Sequence, residues 1–193
     1  MPAPPLISFV QPERSILPAL ALILSADTLL ARYDFSRLVE ALLDESAHLA
    51  TGLLLLAAPP APRSRPFVLG AALGAIAIDA DHVPGEFGWN IITRSTGRPV
   101  THSLATCGAL LLLSRALPET ARAATVGAAC GVLAHFVRDL GTGGLPLLWP
   151  VSKRRVRVPY GVYLAILFAA GGRAWWRAVA MMARSAERRG LVV

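Results

Sequence analysis

Histidine and aspartate recur together at the ends of apolar stretches in this sequence. His135 and Asp139 are four residues apart, so a helix places both side chains on one face. Asp79, Asp81 and His82 fall within four positions at the end of another apolar stretch. Neutral imidazole nitrogens and carboxylate oxygens are the ligands that zinc and similar divalent ions take in proteins. The residue types and spacing therefore predict a metal site.

The composition indicates that these residues sit in a membrane protein. Hydrophobic residues make up 54% of the 193 positions and charged residues only 16%, where soluble domains carry roughly a quarter charged residues. The net charge of +7 comes from short basic clusters between apolar runs. That pattern favours anionic lipid headgroups over nucleic acid, and no specific nucleic-acid binding is expected.

Apolar runs predict six helices, and several are shorter than the ~20 residues of a simple membrane span. The runs cover residues 16–30, 48–58, 67–78, 102–117, 123–139 and 160–182. A proline-rich arm (1–14) precedes them, and an amphipathic helix at the membrane interface is predicted at 34–45. We therefore expect an all-α, polytopic membrane helical bundle of five to six helices. Residues 1–46 form an N-terminal part and 47–193 a membrane-embedded domain.

Simple alternation of the helices brings every histidine to the same side of the membrane. His48 and His102 open the second and fourth runs, while the group at 79–82 and the pair His135 and Asp139 close the third and fifth. The predicted metal ligands are His48, Asp79, His82, His102, His135 and Asp139. Convergence of these ends predicts one site for a divalent metal, zinc being the ion that the donor set favours.

Three further residues have predicted catalytic roles. Asp81 is the candidate general base or ligand of a second ion. Arg98 and Arg138 are each close in sequence to the ligands and are candidates to steady negative charge on a substrate.

Each feature also has a simpler interpretation. A histidine and an aspartate at this helical spacing often form only a side-chain hydrogen bond. The group at 79–82 resembles an exposed turn when taken alone, and the basic run at 153–157 is explained by lipid headgroups. The joint placement of the residues is what favours a site.

The same motifs resemble those of a known family. The order of His48 and Gly52, then Asp79 to His82, then Arg98 with Thr101 to Ser103, then His135 and Asp139, followed by Thr142, Gly144 and the stretch 148–152, resembles the YdjM-like family of bacterial membrane-bound metal-dependent hydrolases. The family is also described as LexA-binding and inner-membrane associated. The resemblance covers about residues 47–160. Here Arg98 is followed by Pro99, where the family pattern usually has glycine.

The resemblance implies an all-helical, multi-pass protein of the bacterial inner membrane with a bound divalent metal and hydrolase activity. The leading hypothesis is a membrane-bound hydrolase of phosphoesters in lipids or lipid-linked molecules that uses a metal-activated water. Membrane lipids are its expected partners, and no protein partner follows from the residues. An alternative is a non-catalytic scaffold in which a structural metal or a salt-bridge network clamps helix ends. A transporter is a third possibility, but its ionisable residues belong near the midplane.

Overall fold

The computed structural model describes residues 12–59, 64–89, 91, 93 and 95–188. Positions 1–11 of the predicted arm lie outside the described residues. Within the described part, the regular structure is helical apart from an isolated antiparallel bridge between Leu145 and Val156. The predicted all-α fold class is therefore confirmed.

Six helices of eleven residues or more account for most of the described chain. The elements are α1 (Pro12–Arg32), α2 (Arg37–Ala57), α3 (Arg65–Ile76), a 3-10 segment (Ala77–His82), the single turn α4 (Val83–Glu86), α5 (Leu104–Ser114), α6 (Glu119–Thr142) and α7 (Tyr160–Arg188).

Two predicted boundaries are wrong, and both affect candidate site residues. The interfacial helix and the second apolar run form one continuous helix, α2, because no glycine or proline interrupts residues 45–48. His48 therefore lies inside α2 and does not open a helix. The fourth helix begins at Leu104 with Ser103 as its N-cap, so His102 lies in the turn before α5. Thr101, which the start of the apolar run at 102 predicts as the N-cap, is therefore not the capping residue.

Among the residues that the structure describes, three helical stretches are long and apolar enough to cross a membrane. They are Ser15–Arg32, the stretch Arg65–Gly85 and Glu119–Thr142. The helix Leu104–Ser114 is apolar but shorter. An ordinary span needs about 20 residues, so the described helices support a membrane protein.

By its internal contacts the chain divides into two units. The first contains Met1–Pro62 and Ala165–Val193, and the second contains Arg63–Leu164. In the first unit, Gly171 of α7 lies against the side chains of Ile16 and Leu54. Arg177 of α7 donates hydrogen bonds to the last carbonyls of α2 and the residues after it, including that of Pro59 at 2.6 Å. This arginine satisfies acceptors that a helix end leaves without partners.

The second unit is built on a close contact between α3 and α6. Glycines spaced four residues apart on each helix form it, namely Gly70 and Gly74 on α3 and Gly127 and Gly131 on α6. A Cβ at Gly131 would overlap the carbonyl oxygen of Ala71, and a Cβ at Gly74 would overlap that of Ala128. Small residues at this spacing let helix backbones touch, as is common within membranes.

A small apolar core lies where α5 meets α6. Cys107 of α5 packs with Val132 and Phe136 of α6 and with Leu145 of the following segment. The backbone amide of Leu104 donates to the carbonyl of Leu147 at 2.9 Å. The start of α5 is thereby held against the segment that follows α6.

The segment after α6 is folded back by backbone hydrogen bonds and by one arginine. Leu145 and Val156 exchange hydrogen bonds of 3.0 and 2.8 Å. Arg155 donates to the carbonyl of Gly143 at 2.8 Å and to that of Gly144 at 3.2 Å. Arg155 belongs to the basic run for which lipid headgroups were a sufficient explanation, yet it stabilises the chain just beyond α6.

We predict that Gly131→Ala destabilises the protein, because the added methyl group must push α3 away from α6. Overpacking of this kind costs about 1–3 kcal/mol of unfolding free energy. Thermal unfolding in detergent measures the effect. Gly108→Ala on α5 is the matched control, because no atom lies within 4 Å of the added Cβ there. Equal midpoints for the two variants would contradict the close contact.

Candidate metal centre

Three candidate residues lie on the 3-10 segment that extends α3. A 3-10 helix has three residues per turn, so residues three apart share one side. Asp79 and His82 follow this rule, with Asp79 Oδ1 3.6 Å from His82 Nε2. The side chain of His82 is 42% exposed and lies at the open edge of the group. Asp81 Oδ1 lies 3.9 Å from the same His82 nitrogen.

His102 reaches the segment from the turn before α5. Its buried ring places Nε2 2.9 Å from Asp79 Oδ1 and Nδ1 3.2 Å from Asp81 Oδ2. The hydroxyl of Thr101 also donates to Asp81 Oδ2. The backbone amide of His102 donates to the carbonyl of Pro99 at 3.1 Å. Both ring nitrogens of His102 therefore face carboxylate oxygens of the 3-10 segment.

His135 and Asp139 reach the same place from the last turns of α6. His135 Nδ1 donates a hydrogen bond to the Ala75 carbonyl of α3 at 2.9 Å. A carbonyl only accepts, so the proton of the neutral ring is on Nδ1 and Nε2 carries the lone pair. That nitrogen lies 3.5 Å from Asp79 Oδ1 and 3.5 Å from Asp139 Oδ2.

The donor atoms fit a divalent ion. Bonds of about 2.0–2.1 Å in a tetrahedron put neighbouring ligand atoms about 3.3 Å apart. Asp79 Oδ1 lies 2.9, 3.5 and 3.6 Å from the Nε2 atoms of His102, His135 and His82. Asp79, Asp81, His82 and His102 also form a group whose ligand atoms all lie within 4.8 Å of one another.

The outer contacts of the two buried rings fit a metal centre as well. Metal-binding histidines generally give their second ring nitrogen to a carboxylate or a backbone carbonyl. His102 Nδ1 faces Asp81, and His135 Nδ1 faces the Ala75 carbonyl. Both Nε2 atoms point to the carboxylate of Asp79. The Nε2 atom of each buried ring therefore faces the position that a metal ion would occupy.

The carboxylates also change the acidity of His102. Burial alone would lower the pKa of this imidazole, but hydrogen bonds from the ring to Asp79 and Asp81 outweigh burial. The pKa of His102 is therefore raised above its ordinary value of 6.5. Negative charge dominates the field at this ring, which is the field that a cation site needs.

The two candidate arginines have different surroundings. Arg98 Nη1 donates to Asp139 Oδ2 at 2.5 Å, and its side chain is 24% exposed. A Cβ added at Gly143 would come within 2.8 Å of Arg98 Nη2, so this glycine makes room for the guanidinium group. Arg138 on α6 is only 2% exposed, and burial leaves it less suited than Arg98 to meeting a substrate.

His48 belongs to the first unit. Its buried ring lies on α2, where Nε2 is 3.7 Å from Asp44 Oδ2, one helical turn away. The other predicted ligands lie in the second unit. A metal-binding role for His48 stays a prediction.

The residues that orient the candidate metal ligands could not be recognised from the sequence pattern. Thr101 fits the sequence pattern of a helix N-cap, although a threonine beside a candidate ligand is also a candidate outer hydrogen-bond donor. The Ala75 carbonyl and the space at Gly143 left no signal in the residue types. Both depend on contacts between elements far apart in the chain.

Comparison with known proteins places the chain in a family. The family model described as YdjM inner membrane protein matches residues 43–191. The chain belongs to the YdjM family. This match confirms the resemblance and, with the three apolar helices, supports a membrane location. No curated protein and no solved structure matches the chain.

All nine predicted site residues of this YdjM family member lie within the matched range. The match also continues beyond residue 160, where the sequence motifs end, and takes in most of α7. It begins within α2, so the first helix lies outside it.

We predict that Thr101→Val lowers metal affinity about tenfold. The substitution removes the hydroxyl that holds Asp81, and loss of such an outer partner costs roughly 10–100-fold in affinity. Chelator competition on the detergent-purified protein measures the change. Thr125→Val is the control, because the Thr125 hydroxyl donates to the Ala121 carbonyl within α6. Unchanged affinity in Thr101→Val would show that this contact does not orient the site.

Proposed function

We propose that the protein is a metal-dependent hydrolase of the bacterial inner membrane. The observation that carries the proposal is the position of Asp79 Oδ1, which lies 2.9–3.6 Å from one nitrogen of each of three histidines. A lone ion pair does not require three imidazoles around one carboxylate oxygen. A divalent cation accounts for the whole donor set.

Asp79, His102, His135 and Asp139 would hold the ion, with His82 at the exposed edge. When bound, a divalent ion, with zinc favoured by these donors, would act as a Lewis acid and lower the pKa of a coordinated water. Thr101 and Asp81 orient the His102 ring, while the Ala75 carbonyl orients the His135 ring.

Asp81 combines two roles in this proposal. Its Oδ2 atom is engaged by Thr101 and His102. Its Oδ1 atom is buried and has no hydrogen-bond partner among the described residues. An acceptor so placed beside the donor set can take a proton during hydrolysis or bind a second ion.

The proposed substrate class is a phosphoester of a lipid or of a lipid-linked molecule. Family membership and the apolar helices support work at a membrane. The half-exposed ring of His82 leaves one side of the donor set approachable. The partly exposed guanidinium group of Arg98 is a donor that matches the geometry of a phosphate.

A structural role is the second candidate, and one observation favours it. Direct contacts between Asp79, His102 and His135 already join the 3-10 segment, the turn before α5 and α6. Such a cluster can clamp helix ends with a metal ion that performs no chemistry. A closed set of four protein ligands would support this alternative.

We predict that the purified full chain contains a stoichiometric divalent metal, measured by elemental analysis. Asp139→Asn and His135→Ala are expected to lose most of it, because each removes a donor facing the centre. Glu119→Gln is the matched control, since Glu119 is exposed on the first turn of the same helix, α6, at its other end.

Wild-type protein that cannot be loaded with metal would contradict this prediction. Protein purified without chelator and then incubated with zinc or manganese should bind the ion. If wild type remains free of metal after this treatment, the hydrolase proposal fails.

We predict that the metal-loaded protein hydrolyses short-chain phosphoester lipids in detergent and that Asp79→Asn lowers the rate at least a hundredfold. A well-placed general acid or base typically contributes about 10²–10⁴ in rate, and loss of a metal ligand is expected to cost at least the lower of these figures. Release of phosphate or of the headgroup is measured, again with Glu119→Gln as control. Full metal loading without turnover of any phosphoester offered would favour the structural alternative.

A further inference from the structure

We propose that Arg98 changes its ionic partner when a metal ion binds. Its guanidinium group neutralises Asp139 until a divalent ion binds, and it then turns to an anionic phosphate group at the edge of the site. This inference rests on the proposed function and extends it to the order in which metal and anion bind.

The contact involves the oxygen that also faces the histidines. Arg98 Nη1 lies 2.5 Å from Asp139 Oδ2. The same Oδ2 atom is 3.5 Å from His135 Nε2 and 3.8 Å from His102 Nε2. Arg98 therefore donates to an oxygen of Asp139 that also faces two candidate metal ligands.

A metal ion and the guanidinium group cannot both hold this oxygen at low cost. Both are cations, and their repulsion is poorly screened at a site where Asp139, His102 and His135 are buried. A divalent ion carries the larger charge and gains further ligands from Asp79 and the imidazoles. The arginine is the partner that must give way.

Arg98 has room to leave. It is anchored by its backbone, since the Thr96 hydroxyl donates to the Arg98 carbonyl. Gly97 before it has a φ of 70°, a left-handed conformation that suits glycine. The side chain itself is 24% exposed. A guanidinium group released from Asp139 remains beside the centre and presents paired donors to a phosphate.

The first experiment measures Mn²⁺ affinity by calorimetry on the full chain in detergent. Arg98→Gln is expected to bind Mn²⁺ about tenfold more tightly than wild type, because a competing cation is removed. Gly143→Ala is expected to fall between them, since its methyl group must displace Nη2 while the charge stays. Arg122→Gln is the control, because it removes the same charge near the other end of α6.

The second experiment adds inorganic phosphate, and separately a short-chain phosphatidic acid, with and without Mn²⁺. Wild type is expected to bind the anion at least tenfold more tightly when Mn²⁺ is present. Arg98→Gln is expected to lose most of that gain, and Arg98→Lys to keep part of it. A gain confined to phosphatidic acid identifies a lipid headgroup as the source of the phosphate, and an equal gain with both ligands identifies the phosphate group itself.

Two results would overturn the inference and are separable from failure of the proposed function. If wild type binds Mn²⁺ but Arg98→Gln binds it equally or more weakly, Arg98 orients Asp139 and does not compete with the metal. In that case the hydrolase proposal still stands. If wild type binds neither Mn²⁺ nor zinc, both proposals fail together.

Discussion

The contact between the backbones of α3 and α6 is the constraint on which the candidate site depends. Glycines on both helices leave no room for a side chain between them. At the end of this contact, the Ala75 carbonyl accepts the hydrogen bond of His135, and Asp79 follows four residues later. Separating the helices by the thickness of one methyl group would break that hydrogen bond. The same small residues that pack the unit therefore set the distance between two candidate ligands.

Because the site lies at the ends of apolar helices, its buried polar atoms are costly. Burying a charged group without a partner is strongly unfavourable, and the candidate carboxylates accordingly face imidazole or guanidinium groups. Asp79 faces histidine nitrogens, and Asp139 faces both His135 and Arg98. Their mutual contacts neutralise part of the charge. A divalent ion would neutralise the remaining negative charge of these carboxylates. This is a physical reason for the cluster to bind such an ion.

Helix patterns in the sequence predicted the all-α class and the convergence of the second unit's histidines, whereas the family was indicated by the resemblance of the site motifs. They succeeded because apolar runs and alternating helix direction are properties of the chain itself. They failed where a helix had no marked boundary, as between residues 45 and 48 of α2. They also gave no sign of the contact between Arg98 and Asp139, because the two residues are 41 positions apart in the chain. No local pattern reports such a contact.

The two arginines beside Gly143 show why the partner of a cation decides its role. Arg155 donates to the carbonyls of Gly143 and Gly144, which are neutral backbone dipoles just beyond α6. A metal ion bound at the proposed centre would not compete for these carbonyls, so Arg155 can hold the segment in place in either state. Arg98 instead donates to a carboxylate that faces the candidate ligands. Of these two contacts, that of Arg98 is the one proposed to exchange, because a charged carboxylate gains more than a neutral carbonyl from trading a guanidinium group for a divalent ion.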